Sequence, residues 1–424
     1  MSEIRMLSPD DFDALVLVFA EAYPGLEIVS REDRQRFKER ALKFHQEDPA
    51  TSFYGLFRDW QLLGTMCLHD FAMNFLGTRI PVGGVGQVAV DLAHKKEHVA
   101  KEMMAYALRH FRDREVPLVA LYPFRPDFYV KMGFGYGTKM NQYRVRPSAF
   151  PKGPSKAHVR YLTVEDKQAL ADCYNRFADH THGMMRKTER ELQRLFGNPE
   201  HRLLGCDQDG QIRGYLVFTW EHGDTFILND MRVKEFIYES QDALSELMTF
   251  LHTQADQIRH VSISTQDEYF HHLLLDPRNG TDRLIPGVYH ETNAQGLGLM
   301  YRVVDVPRIF DLLSAHEFGT LAFGARTCTL RLTIGDSFLP ENDGSMVLQF
   351  EGGHVERLDG RVQDAAYGVE VRLGIADFSS LLAGTVDFWS LYRYGLADVS
   401  DESYVKTINR LFAVEQKPMC TTGF

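Results

Sequence analysis

Two stretches of this chain spell out the same order of elements, and that repetition limits the fold more than any other feature. Residues 2–145 read as an edge strand (SEIRML) followed by a helix. That helix starts at Ser8-Pro9, with Ser8 as N-cap and Pro9 at its first position, and carries Phe12, Leu15, Val16 and Phe19 on one face until Pro24-Gly25. A second helix covers Arg31 to Gln46, with Phe37, Ala41 and Phe44 at helical spacing. The period then changes to that of strands. Two are joined at Arg58-Asp59, a third lies around Phe75 to Pro81, and a fourth stretch runs from Val85 through Val88 and Val90. A helix over Val99 to Arg112, a buried strand at Pro117 to Tyr122, a short helix from Arg125 to Met132 ending at Gly133, and a strand from Tyr136 to Val145 complete the pattern.

After a linker marked by Pro147, Pro151, Gly153 and Pro154, the order begins again. The stretch HVRYLTVEDKQALADCYNRFADH gives strand and helix, Thr188 to Phe196 a second helix, and Asp209-Gly210 the tip of a hairpin. Ile227 to Val233 reads as a strand, Ser240 to Gln257 as a helix and His260 to Ile263 as a strand. The two copies part at one place. The first has VGQVAVDLAHKKEHVA, an apolar strand feeding a basic loop and then a helix. The second has KEFIYES at the same position, with one lysine, no glycine and two acids. A helix N-terminus with unpaired N–H groups and nearby cations attracts anions, so the first copy has the elements of a phosphate site. The second reads as a structural copy.

From Leu299 a third region begins with MYRVVDVPRIFDLL, a strand leading into a helix. A meander of alternating apolar and polar residues follows, with turn signals at Asn342-Asp343-Gly344 and Gly352-Gly353. Helices at Ile375–Leu382, Thr385–Tyr394 and Glu402–Phe412 precede an extended tail, KPMCTTGF. The domains expected are therefore 1–150, 151–298 and 299–424, all of mixed α/β (α+β) class. A chain of 424 residues is also too long for one ordinary core.

Bulk chemistry narrows the function classes. A net charge of −11 argues against a nucleic-acid-binding surface and makes the local basic loop stand out. The five cysteines have no ligand spacing and read as reduced, buried thiols. The acidic N-terminus lacks a leader pattern, and the longest apolar stretch, Ala14 to Ala20, falls far short of the roughly 20 residues of a membrane span. These features predict a soluble cytoplasmic protein. The pairs His180/His182 and His271/His272 lack metal spacing, so no metal site is expected. The glycines of Gly83-Gly84-Val85-Gly86 open a strand, and those of Gly133-Phe134-Gly135-Tyr136-Gly137 close a helix. Neither fits a dinucleotide fingerprint, which follows a strand and opens a helix.

The order VAV, basic loop, helix, together with Phe128-Tyr129-x-x-Met132-Gly133-Phe134-Gly135-Tyr136-Gly137, resembles the Gcn5-related N-acetyltransferase (GNAT) fold. With a degenerate second copy and LxYRVVDVP opening a region similar to sterol carrier protein, the whole chain resembles the Eis (enhanced intracellular survival) family. The resemblance implies tandem GNAT domains, acetyl-CoA as co-substrate and a primary amine acceptor: a polyamine, an aminoglycoside-like compound or a lysine side chain. It also implies a homo-oligomer, a hexamer in the family. Val88, Ala89 and Val90 match the strand that pairs with the pantetheine arm, and the Val90 N–H is the expected polariser of the thioester carbonyl. Lys95, Lys96, Glu97, His98, Val99 and Ala100, with Lys101 after them, match the pyrophosphate loop. Phe124 and Arg125 match a second cofactor contact. His98 departs from the family pattern, which has glycine there.

By the same resemblance Tyr129 is the general acid and the terminal carboxylate of Phe424 the general base. A tyrosine on a short helix is ordinarily a packing residue, and chain ends ordinarily fray. Glu27 and Asp91 are further acids that could attract an amine. A different class of function stays open at this point: a non-catalytic protein that binds an acyl-CoA or an apolar ligand through its sterol-carrier-like region. Aminoacyl transfer, as in peptidoglycan-bridge enzymes, fits the third region poorly.

Overall fold

The computed structural model describes residues 2–225, 228–318, 327–358 and 367–424. In chain order the elements are β1 (Glu3–Met6), α1 (Phe12–Ala22), α2 (Arg31–Glu47), β2 (Thr51–Arg58), β3 (Gln61–Phe75), β4 (Thr78–Val90), α3 (Val99–Asp113), β5 (Leu118–Leu121), α4 (Pro126–Val130) and β6 (Gly135–Tyr136). Next come β7 (Met140–Val145), β8 (Val159–Tyr161), α5 (Lys167–Asp179), α6 (Glu189–Gly197), β9 (Arg202–Gln208), β10 (Gln211–Thr225), β11 (Leu228–Tyr238), α7 (Gln241–His252), β12 (Ile258–Thr265) and β13 (Asn293–Gly296). The last are β14 (Met300–Val303), α8 (Val306–Leu312), β15 (Cys328–Gly335), β16 (Gly344–Glu351), β17 (His354–Arg357), β18 (Val369–Gly374), α9 (Ile375–Leu382), α10 (Phe388–Arg393), β19 (Ala397–Val399) and α11 (Val405–Leu411).

The chain divides into two compact units. One comprises Met1–Gly137, Leu299–Gln416 and Gly423–Phe424. The other comprises Thr138–Gly298 and Lys417–Thr422. The first unit holds a sheet in the order β1-β2-β3-β4-β5-β14-β6 and a second in the order β17-β16-β15-β18-β19. The other unit holds a sheet ordered β13-β7-β12-β11-β10-β9-β8.

Local chemistry accounts for the helix starts. Ser30 and Asp33 form a reciprocal capping box at α2, and Thr188 and Glu191 do the same at α6. Helix α3 lays Val99, Met103, Met104, Ala107, Leu108 and Phe111 into the core of the first sheet, while its opposite face carries charge. Within this unit α9 packs so closely on β6 that a Cβ on Gly135 would collide with the Ala376 carbonyl oxygen. Ser379 Oγ accepts the Val303 N–H at 3.0 Å, and Arg302, fully buried, is paired with Asp336 at 2.8 Å.

Several sequence expectations change. The third strand near Phe75–Pro81 and the strand at Val85–Val90 are one, β4, whose turn from β3 lies at Leu76-Gly77. The final strand expected over Tyr136–Val145 splits after Gly137. Its first residues form β6 in the first sheet, while β7 pairs antiparallel with β12 and β13. In turn β14, read as the start of the third region, lies between β5 and β6. Edge pairing decides this, because β5 offers an unfilled backbone row that Met300–Val303 completes over four registered pairs. Helix α7 also ends at His252, short of Gln257, and Ile227 lies outside the described residues.

Candidate active site

Strand β4 pairs antiparallel with β3 along most of its length but parallel with β5 only from Val82 to Val85. Beyond Val85 it continues to Val90 with no strand on β5's side among the described residues. A bulge marks the divergence. Gln87 takes a left-handed backbone (φ 54°), and the pairing with β3 shifts between Thr65 and Cys67. A free strand edge offers a ligand the N–H and C=O row that another strand would otherwise fill. The Gln87 side-chain oxygen is buried without a hydrogen-bond partner among the described residues. Ala89 is buried in the core beneath α1 and α2, while Val88 and Val90 are half-buried beside the α3 core.

The loop from Asp91 leads to the start of α3. Asp91 Oδ1 accepts the Ala93 N–H at 2.8 Å, tying this acid to its own turn. Lys95, Lys96, Glu97 and His98 are exposed, and Lys96 (φ 70°) and His98 (φ 64°) both adopt left-handed backbone. His98 therefore keeps the conformation that a glycine would adopt freely, at a cost of roughly 1 kcal/mol. Its side chain makes no cap hydrogen bond, so the first amides of α3 are not occupied by their own N-cap. Glu97 is braced by Arg58 (3.4 Å) and His94 (3.1 Å), and Arg58 also binds Glu102 at 2.7 Å. Arg58 thus ties down a loop whose outward charge comes from lysine. Val99 is buried in the core, so only its backbone and that of Ala100 face the loop, whereas Lys101 Nζ lies 6.0 Å over the Phe338 ring.

On the other arm of the divergence, β5 leads through Tyr122 to Phe124 and α4. Phe124 is exposed and packs on Tyr23 at 5.1 Å, while Arg125 is exposed and ion-paired to Asp127 at 2.6 Å. Tyr23, at the end of α1, donates its hydroxyl to the Val88 carbonyl at 2.8 Å. Tyr129 is buried against Phe128 and Phe134. Burial pushes its phenol up to about 12. Burial raises Tyr23 further, with the neighbouring Tyr129 adding to the effect.

The chain end is ordered by contacts in both units. In the second unit Met419 N–H donates to His182 O at 2.8 Å, Cys420 N–H to Gln266 Oε1 at 2.6 Å, and the Tyr174 and Thr421 hydroxyls meet at 2.9 Å. In the first unit the Phe424 ring rests on Phe71 (5.0 Å), Tyr122 (5.3 Å) and His69 (5.7 Å). A Cβ on Gly86 would stand 3.1 Å from the carboxyl carbon of Phe424 and 3.4 Å from Nε2 of His69. Gly86 is thus the opening through which the terminal carboxylate reaches β4. Val88, where Tyr23 docks, lies two residues further along, about 7 Å by strand rise. Among the described residues no group of three His, Cys, Asp or Glu side chains is placed to hold a metal.

Sequence reasoning missed Tyr23, Arg58, His69 and Gly86. Gly86 carried a usable signal, because a glycine inside a strand often marks close approach of another backbone. His69 carried a weaker one, as a lone histidine in the apolar run TMCLHDF. Tyr23 and Arg58 had none.

Residues 3–137 match the description "Acetyltransferase (GNAT) domain", residues 183–303 match a second domain of the same description, and residues 312–421 match "Sterol carrier protein domain". The chain thus carries two GNAT acetyltransferase domains followed by a sterol carrier protein domain, the three-part order expected of an Eis-like protein. An uncharacterized N-acetyltransferase of Streptomyces avermitilis is 23% identical over 418 residues, covering 93% of this chain and 92% of that protein. The fold matches a GCN5-related N-acetyltransferase from Anabaena variabilis (TM-score 0.80, 17% identity, all of both chains). It also matches one from Kribbella flavida (0.77, 20%, all of this chain and 98% of the other). Eis1 from Mycobacterium abscessus aligns over all of both chains at a TM-score of 0.75 and 19% identity. A GNAT domain implies acetyl-CoA as co-substrate. The unpaired β4 edge, the buried Gln87 oxygen and the uncapped α3 start suit such a group. Among the described residues no helix is long and apolar enough to cross a membrane.

Proposed function

We propose that this GNAT protein transfers the acetyl group of acetyl-CoA directly to a primary amine of a polyamine, an aminoglycoside-like compound or a lysine side chain. The pantetheine arm lies along Val88–Val90, and the pyrophosphate sits at Lys95–Ala100. The amine nitrogen attacks the thioester carbonyl, whose developing oxyanion is held by backbone N–H at Val90. The C–S bond then breaks and the sulfur takes a proton from Tyr129. Burial keeps this phenol protonated up to about 12, so its proton is present throughout the neutral range; passing it to a thiolate, whose thiol normally titrates near 8.5, is uphill alone and is drawn forward by the proton that Tyr129 regains from nitrogen. The terminal carboxylate attracts the cationic amine and accepts its protons. Of the two protons that leave nitrogen in a cycle, one returns to Tyr129 and one goes to solvent.

The observation that carries this reading is the Phe424 carboxyl carbon against Gly86, on the half of β4 that β5 leaves open. An amine screen with acetyl-CoA, following thiol release, tests it. Turnover with polyamines, aminoglycosides or lysine peptides is expected, and a chain extended past Phe424 should lose it. A fully active extended chain refutes the base assignment.

A further inference from the structure

His69 stands behind the terminal carboxylate. It lies on β3 directly between Thr51 of β2 and Gly84 of β4 in the strand register, and it is 3% exposed. Thr51 Oγ1 donates to Asp48 Oδ2 at 2.8 Å and lies 3.1 Å from His69 Nδ1. A hydroxyl has one hydrogen, so with that hydrogen on Asp48 the Thr51 oxygen accepts from Nδ1–H. This fixes the ring's tautomer: Nε2 is the nitrogen that gains and loses a proton. That same nitrogen shares the space over Gly86 with the carboxyl carbon of Phe424.

A carboxylate alone, titrating near 3.5, is a weak base for an ammonium, whereas an imidazole titrates near 6.5. We propose that His69 is a positioning and proton-holding residue that acts through the terminal carboxylate. The carboxylate takes the proton from the amine and passes it, directly or by one water, to Nε2, giving an imidazolium opposite a carboxylate. The imidazolium then releases that proton to solvent. The β4 positions beside it are glycines, Tyr122 and Phe71 are aromatic, Asp48 acts through Thr51, and Asp70 is held by Arg114 at 2.9 Å. The inference rests on the acetyl-transfer reading above.

Two measurements on the full chain test it. Nitrogen NMR of the histidine-labelled wild type at pH 9 is expected to show Nδ1–H at His69, the form free histidine disfavours; an Nε2–H tautomer overturns the proposal. The second is the pH profile of kcat/KM in His69→Asn, whose amide keeps the bond to Thr51 but has no second nitrogen. Turnover is expected to fall tenfold or more and the acidic limb to move from the imidazole range toward the carboxylate range. Acetyl-CoA affinity by calorimetry should stay within twofold. An unchanged limb and rate overturn the role of His69. If the chain extended past Phe424 is inactive in the same assay, the base assignment survives that failure; if it is fully active, the assignment falls on its own. Should H69N not fold, the tautomer in the wild type decides.

Discussion

The two GNAT domains meet the same geometric problem in opposite ways. In each, a strand pairs parallel with its neighbour for a few residues and then runs on without that neighbour, from Val85 in β4 and from Val233 in β11. In the first domain the run ends in an exposed basic loop with two left-handed residues, and α3 begins without a side-chain cap. In the second, β11 extends through Lys234 to Tyr238, and Ser240 caps α7 by accepting the Ala243 N–H at 3.2 Å. Two residues beyond the last parallel pair stand Gln87 in one strand and Glu235 in the other. The Gln87 oxygen is buried without a partner among the described residues. Glu235 is saturated, bound by Lys187 Nζ at 2.7 Å to each oxygen and by the Tyr215 hydroxyl at 2.7 Å, with Lys187 4.0 Å over the Tyr174 ring. One copy leaves polar groups for a ligand; the other has filled them with its own side chains. A fold of this kind becomes a binding site by what it leaves unsatisfied.

The comparison can be broken first at Tyr129. Tyr129→Phe should lower turnover by about 10²–10⁴-fold, with acetyl-CoA affinity unchanged by calorimetry. Because burial keeps Tyr129 protonated to about 12, the wild type should show no loss of rate near pH 10 that disappears in this variant. Next, Lys187→Met leaves Glu235 buried without its cation and should cost about 3–5 kcal/mol of stability in denaturant unfolding. Calorimetry should still count one acetyl-CoA per folded chain. Two per wild-type chain would show that the second copy is a working site. Third, Gly86→Ala puts a methyl against the Phe424 carboxyl carbon and should lower turnover tenfold or more with little change in cofactor binding. The smallest change is His98→Gly, which relieves left-handed strain and should raise stability by roughly 1 kcal/mol. If it also weakens acetyl-CoA binding severalfold, the His98 side chain contributes to the anion site directly.

Much of the secondary structure could be read locally, because its causes are local. The α2 and α6 helices, the hairpin tip at Asp209-Gly210 and the apolar face of α3 follow from periodicity, caps and turn residues a few positions apart, whereas the first hairpin turns at Asp59-Trp60, one residue past the expected Arg58-Asp59, and α1 begins at Phe12 after a short 3-10 turn over Pro9–Asp11. The YVKMGFGYG segment placed Tyr129 beside a tight turn, and the loss of basic residues in KEFIYES pointed to a different second junction. The candidate site was legible only in part. Val88, the basic loop, Tyr129 and Phe424 could be named from a resemblance, but not the side chains that hold them.

What the sequence determined by itself is the repeated order of elements, the three-part composition and the asymmetry between two strand–helix junctions. Tertiary structure alone decided that β7 and β14 complete sheets away from their sequence neighbours, and that Gly86 makes room for a carboxylate 338 residues later. It also placed His69 Nε2 and the Phe424 carboxyl carbon beside the same glycine, Gly86. The physical reason is the range of the forces. Caps, turns and periodicity act over one or two turns of chain. Edge pairing, close approach at a missing Cβ and the choice of a histidine tautomer depend on groups that only the packed fold brings together.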